Sequence, residues 1–221
     1  MFSTIYIEDQ VTDHPRTRDI CARFPQATRV QCERYGEIFN PKAQNFRLQT
    51  RKPSLILAHK HHRRVLETPA GYGIGGSDNY YFSHMLNCLY DCRYCFLQGM
   101  YRSAHYVLYV NYEDFGHDID AVMHSADNKP CWFFSGYDCD SLVLEPGSAF
   151  MQYFLPFFAA RPAAHIEIRT KSTQIRSLLQ QTSIPIAVIA FSFTPATVHA
   201  TLEHKVPTIE RRLEAMQKLQ Q

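Results

Sequence analysis

From residue 79 onward the chain alternates strand-like and helix-like stretches, and this alternation constrains the fold more than any other feature. Tyr80–Asn87 is strand-like. Cys131–Ser135 (CWFFS) reads as a second strand, followed by a helix over Ser148–Ala160. His165–Thr170 (HIEIRT) reads as a third strand, followed by a helix over Thr173–Gln181, and Ala187–Phe193 as a fourth. A charged amphipathic helix over Thr208–Gln221 follows, with Pro207-Thr208 as its start signal. Repeated β-then-α units predict a parallel sheet with helices packed on it. Four units cannot close a barrel, which needs about eight. The expected fold is α/β: an incomplete β/α barrel with an N-terminal α/β extension, in a chain shorter than its own architecture wants.

That extension covers 1–78, and the partial barrel 79–221. In the first region Ser3–Ile7 alternates like a strand, Arg16–Phe24 reads as a helix after Asp13-His14-Pro15, and Ser54–Ala58 is a second strand. A basic run, His59–Arg64, precedes a Gly/Pro-rich connector from Thr68 to Asp78. The run can touch a phosphate backbone or simply form a solvated face. Within the connector, Gly71, Gly73 and Gly76 match a dinucleotide fingerprint. That motif must follow a strand and open a helix, which this one does not, so it reads as a linker.

Composition removes several classes. With 45% apolar residues the chain is not a disordered tail, and a balance of 23 cationic against 21 anionic side chains neither demands nor forbids nucleic acid. No apolar run approaches the ~18 residues of a membrane-crossing helix. The N-terminal MFSTIYIEDQ lacks the features of a secretory signal, so a cytoplasmic location and no membrane partner are expected. The 15 Phe and 13 Tyr would suit stacking on an extruded base, but most lie in expected strands and read as core. Phe150, Tyr153, Phe154, Phe157 and Phe158 share one broad helical face and are assigned to the core.

Three of the seven cysteines fall within eight residues, Cys88, Cys92 and Cys95, in the spacing Cys-x3-Cys-x2-Cys. A short loop with this spacing can aim three thiolates at three irons of a 4Fe–4S cubane and leave the fourth open. Iron–sulfur electron carriers generally use four cysteines. An open iron can bind a cofactor, and in radical enzymes that cofactor is S-adenosylmethionine. The alternatives are a zinc site, which needs a second cysteine pair that Cys131 and Cys139 make poorly, or a redox pair formed by Cys92 and Cys95, which ignores Cys88.

The residues around the cluster resemble the spore photoproduct lyase family of radical S-adenosylmethionine enzymes. The likeness runs from IYIEDQVTDHP through CRYCFLQGMY and YVLYVNYEDF to EHKVPTIERRLEAMQKL. It implies a partial barrel of the radical S-adenosylmethionine type, a 4Fe–4S cluster on Cys88, Cys92 and Cys95, and contacts to S-adenosylmethionine from Asp140, Lys171 and Ser192. It further implies repair of thymine-dimer-type lesions, with DNA as partner and an electron donor such as flavodoxin or ferredoxin. Two departures stand out. The family's hydrogen-donor cysteine aligns with Tyr137, with Cys139 two residues later, and a tyrosine of its hydrogen relay is Phe96, which has no O–H to give. Cys139 and Tyr137 are therefore the candidate substitute donors. The alternative functions are a truncated, inactive paralogue and a zinc-stabilised nucleic-acid-binding module.

Overall fold

The computed structural model describes residues 2–220 except Asn40, Pro41, Ala43, Gly75–Ser77 and Asn128. Gly75 and Gly76 of the glycine motif and Gln221 thus lie outside the described residues. The first part of the chain forms β1 (Thr4–Glu8), α1 (Pro15–Arg23), β2 (Thr28–Cys32), α2 (Tyr35–Ile38), α3 (Phe46–Arg51), β3 (Leu55–Ala58) and β4 (Val65–Glu67). The middle forms β5 (Asn79–Phe82), β6 (Met85–Leu86), β7 (Asp91–Cys92), α4 (Leu97–Met100), β8 (Tyr106–Tyr109) and α5 (Tyr112–Ser125). The remainder forms β9 (Cys131–Ser135), α6 (Phe150–Ala159), β10 (Ala164–Thr170), α7 (Arg176–Leu179), β11 (Ala187–Phe191), α8 (Ala196–Leu202), β12 (Glu203–His204) and α9 (Ile209–Leu219).

Two five-stranded sheets organise these elements. The first runs β2-β1-β3-β8-β6 and the second β11-β10-β9-β5-β4, while β12 and β7 pair separately. In the second sheet β5, β9, β10 and β11 are mutually parallel, with β4 antiparallel at the edge. The sheet stays open, so the incomplete α/β barrel expected from four repeated units is what forms. The first sheet takes β6 and β8 from beyond residue 78, and the second takes β4 from before it.

Burial explains the strand sequences. All four residues of β3 (LILA) are buried, as expected for a parallel strand flanked by β1 and β8 and covered on both faces. The alternating burial of β9 sends Cys131, Phe133 and Ser135 inward. The expected helical face of α6 divides: Phe150, Phe154 and Phe158 are fully buried, while Tyr153 and Phe157 pack at the edge of the same core. Phe82 joins them, with its ring centroid 5.1 Å from that of Phe154. Ala149 cannot cap α6, and Glu145 does so instead, accepting from the Phe150 N–H at 2.6 Å and the Ser148 hydroxyl at 2.7 Å.

Two expected elements are altered. Tyr80–Asn87 is divided at Ser83-His84, because the chain leaves the second sheet after β5 and enters the first at β6. The helix expected over Thr173–Gln181 shrinks to Arg176–Leu179. Thr170 Oγ1 accepts from the Ser172 N–H at 2.8 Å and Ser172 Oγ from the Gln174 N–H at 3.1 Å, side-chain bonds that compete with a helical start. Among the described residues no helix is long and apolar enough to cross a membrane.

Candidate active site

The step from β5 to β6 delivers the chain to the cysteine loop. Asn87 adopts φ +67°, a left-handed conformation that Asn tolerates better than most residues. Its side-chain amide donates to the carbonyls of Ser103 and His105, both at 2.7 Å, and so ties the two ends of the loop together. Cys92 lies in β7, where it pairs with Glu203 of β12, and the Arg93 N–H donates to Leu202 O at 2.8 Å. The cysteine loop is thus held at its base by Asn87 and in its middle by the C-terminal part of the chain.

Cys88, Cys92 and Cys95 line one cavity of about 280 Å³, and Tyr137, Cys139, Asp140, Lys171 and Ser192 line it too. All eight site residues singled out in the sequence therefore meet around a single space. They arrive from separate strand ends: Asp140 in the loop after β9, Lys171 directly after β10, Ser192 directly after β11. In β/α folds the carboxyl ends of the strands are where active sites gather.

Burial pushes the Cys88 thiol well above its ordinary value, and the nearby Asp140 charge adds to the shift. The N–H groups of Tyr90 and Asp140 hydrogen-bond its sulfur and oppose it in part. A cationic centre in the cavity would reverse that balance, since metal coordination favours the thiolate. Among the described residues no three His, Cys, Asp or Glu side chains converge as ligands of a single metal ion do. The three cysteines share the lining of one cavity, and three thiols are the donor set a cluster held through three irons would need.

Beside Cys88, Asp140 acts as a brace. Its Oδ1 accepts from Thr170 Oγ1 at 2.7 Å and the Leu142 N–H at 3.0 Å, and its Oδ2 from the Lys171 N–H at 2.5 Å. Burial raises its carboxyl above the ordinary range, against the pull of those bonds. The Lys171 ammonium stands 4.0 Å from Glu203 Oε1 and 5.6 Å from the Tyr94 ring centroid. Ser192 donates its N–H to Thr170 O at 2.9 Å, and its carbonyl accepts from Arg212 Nη1 at 2.6 Å.

The two candidate hydrogen donors differ in access. Tyr137 is 42% exposed, its ring 4.4 Å from Tyr81 and 5.7 Å from Phe96. Cys139 is 7% exposed and packs with Met85 and Leu108 in the core of the first sheet. Burial, reinforced by the charges of Cys88, Asp138 and Asp140, raises its thiol well above the ordinary value. Gly136 starts this loop with φ +76°, and a Cβ there would meet Ser141 Oγ at 2.5 Å.

Sequence reasoning missed Glu203 and Arg212, which hold the floor of the site. Arg212 is fully buried, and its Nη2 donates to Glu203 Oε2 at 2.7 Å, while Tyr94 donates its hydroxyl to Glu203 Oε1. A signal existed: Arg212 interrupts the apolar stripe Ile209, Met216, Leu219 of α9, and a cation there must be paired inside.

A search of curated protein sequences found no match. Solved structures do match. Spore photoproduct lyase complexed with dinucleoside spore photoproduct superposes with a TM-score of 0.85 at 16% identity, covering 100% of this chain and 64% of that one. A doubly substituted spore photoproduct lyase with bound AdoMet and dinucleoside spore photoproduct matches with a TM-score of 0.86 at 16% identity, over 99% of this chain and 64% of that one. The chain thus spans under two thirds of the length of these proteins, and the likeness establishes a common fold. The family model described as spore photoproduct lyase matches residues 2–221, and with that span covered the chain belongs to the spore photoproduct lyase family.

Proposed function

We propose that this protein is a radical S-adenosylmethionine enzyme acting on a damaged pyrimidine pair in DNA. The observation that carries the reading is the meeting of three loop cysteines with Lys171 and Ser192 around one cavity. Cys88, Cys92 and Cys95 would hold a 4Fe–4S cluster. When bound, the cluster supplies the electron that cleaves S-adenosylmethionine to a hydrogen-abstracting 5′-deoxyadenosyl radical. Lys171 offers an ammonium to the cofactor's carboxylate, and Ser192 a hydroxyl to its polar edge. Asp140 fixes the backbone of Lys171 and so aims that ammonium. Tyr137 and Cys139 line the same cavity and are the candidates to give a hydrogen atom to the product radical, the side-chain radical left behind taking up an electron from the external reductant and a proton. Phe96, beside Tyr137, has no hydrogen to relay, so donation runs from one of these two directly. In support, a structure of the same family and fold carries AdoMet and dinucleoside spore photoproduct together.

The test is anaerobic reconstitution with iron and sulfide, followed by S-adenosylmethionine, a chemical reductant and dinucleoside spore photoproduct. The expected result is 5′-deoxyadenosine with conversion of the dinucleoside, both abolished by Cys95→Ala. Cluster binding without 5′-deoxyadenosine would instead establish the inactive paralogue. Colourless protein with stoichiometric zinc would overturn both readings.

A further inference from the structure

The basic run His59–Arg64 divides in the structure. His59 Nε2 faces Asp114 at 3.0 Å, and Arg64 makes a two-pronged contact with Asp118 at 2.8 and 2.9 Å, so α5 engages both. Lys60 and Arg63 are left over. The backbone of Lys60 is pinned, its N–H donating to Asn111 Oδ1 at 2.9 Å and its carbonyl accepting from Asn111 Nδ2 at 3.1 Å. Its ammonium stands 5.1 Å from the Tyr109 ring centroid and feels the Asp138 carboxylate, with no close ion pair among the described residues. Arg63 sits at φ +55°, a left-handed conformation costly for a long side chain, and its guanidinium is likewise unpaired among the described residues.

Both cations line a second cavity of about 300 Å³, walled by tyrosines that include Tyr81, Tyr101 and Tyr137. Asp138 is the one carboxylate on that wall, and the hydroxyls of Ser83 and Tyr101 hydrogen-bond it. Tyr137 lines this cavity and the cysteine cavity alike, so the two spaces adjoin at its ring.

We infer that the second cavity binds the DNA strand next to the reacting nucleotides, with Lys60 and Arg63 on a phosphodiester and the tyrosines stacked against the adjoining base. The inference rests on the DNA-directed reading above and deepens it. Cations beside aromatic faces are the combination that holds single-stranded nucleic acid without reading its sequence. A pinned backbone under the Lys60 ammonium reduces the ordering cost of that contact. The shared Tyr137 wall lets one strand occupy both cavities.

The test uses the full chain and labelled thymidylate pentamers, with and without a central spore photoproduct, titrated by fluorescence anisotropy over a range of salt. Lys60→Gln with Arg63→Gln should weaken binding of both pentamers about fivefold or more and lower the salt slope by about one. Lys60→Arg should restore binding, and substrate-free 5′-deoxyadenosine formation should not change. Arg63→Gln alone, at an exposed site, should show a partial loss should the double variant fold poorly. Wild-type failure to bind the undamaged pentamer, or unchanged binding and salt slope in folded variants, overturns the inference. Loss dependent on Lys60 without any preference for the lesion leaves the cavity assignment standing and removes the repair reading. A lesion preference that survives unchanged in the variants does the reverse.

Discussion

Arg212 of α9 and Glu203 of β12 form an ion pair at 2.7 Å in which both side chains are fully buried. The pair reaches toward the cysteine-lined cavity through four contacts. Arg212 holds the Ser192 carbonyl, and Glu203 holds Tyr94, faces Lys171 and pairs in register with Cys92. Burial alone would raise the Glu203 carboxyl, but hydrogen bonds from Tyr94, His199 and Arg212 hold it below its ordinary value. The last helix therefore fastens both walls of the cavity.

Removing one partner of this pair strands the other. Arg212→Leu should destabilise the fold by about 3–5 kcal/mol, whereas Arg212→Leu with Glu203→Gln should recover much of that loss. Urea denaturation of the three proteins measures it, and a single variant within about 1 kcal/mol of wild type would show that the pair is not structural. S-adenosylmethionine affinity should fall in the single variant, because the Ser192 carbonyl loses its support and Glu203, without Arg212, competes for the Lys171 ammonium.

Gly136 supports the other wall. Gly136→Ala must place a Cβ 2.5 Å from Ser141 Oγ and 3.0 Å from the Cys139 carbonyl, at a φ of +76°. A cost of about 1–3 kcal/mol is expected, with displacement of Tyr137 and Asp140. Gly99→Ala is the control, since a Cβ there meets nothing within 4 Å. Thermal denaturation should separate the two, and equal melting temperatures would contradict the steric account.

The parallel half of the fold was legible because β9, β10 and β11 are short apolar runs separated by helices, a pattern that admits few topologies. The cysteine spacing was legible for the same reason: few chemistries use three thiols in one loop. The first sheet was harder to read. Its edge strand β2 (TRVQC) buries only Cys32, so no alternation marks it, and β8 pairs with β3 across some fifty residues of sequence. The Arg212–Glu203 pair was easily overlooked because charged residues in a charged C-terminal segment look solvated, and only the place of Arg212 in the apolar stripe of α9 points inward. The basic run looked uniform, yet α5 engages His59 and Arg64 and leaves Lys60 and Arg63 facing the second cavity.

Access separates the two proposed hydrogen donors. Tyr137 is open to the cavity, while Cys139 lies beneath it at 7% exposure. Tyr137→Phe is expected to leave 5′-deoxyadenosine formation intact and to divert the repaired dinucleoside into side products, with Cys139→Ala having the smaller effect. Chromatography of the products decides it. An unchanged distribution in Tyr137→Phe, with diversion in Cys139→Ala, would reassign the donor to the cysteine.

His84 gives a pH dependence whose sign is fixed by its surroundings. It sits at the crossing between the sheets, 1% exposed, with its ring stacked 4.1 Å from Phe150 and its Nδ1 without a partner. Burial lowers its proton affinity from the ordinary 6.5 to about 3. Between those values the unfolded chain carries a proton on this ring that the folded chain does not. Stability therefore falls as pH falls through that window, and the contribution is fully present only above the unfolded value. Each pH unit corresponds to about 1.4 kcal/mol, so roughly 2–3 kcal/mol from this residue is lost between pH ~6.5 and ~4.5. His84→Phe keeps the aromatic stack and removes the titration. Its urea-denaturation stability should fall less steeply over that range than the wild-type value, the two curves converging or crossing toward acid. Parallel curves would mean that the imidazole is protonated in the folded chain, which a fully buried ring without a partner at Nδ1 could accept only by opening the contact with Phe150.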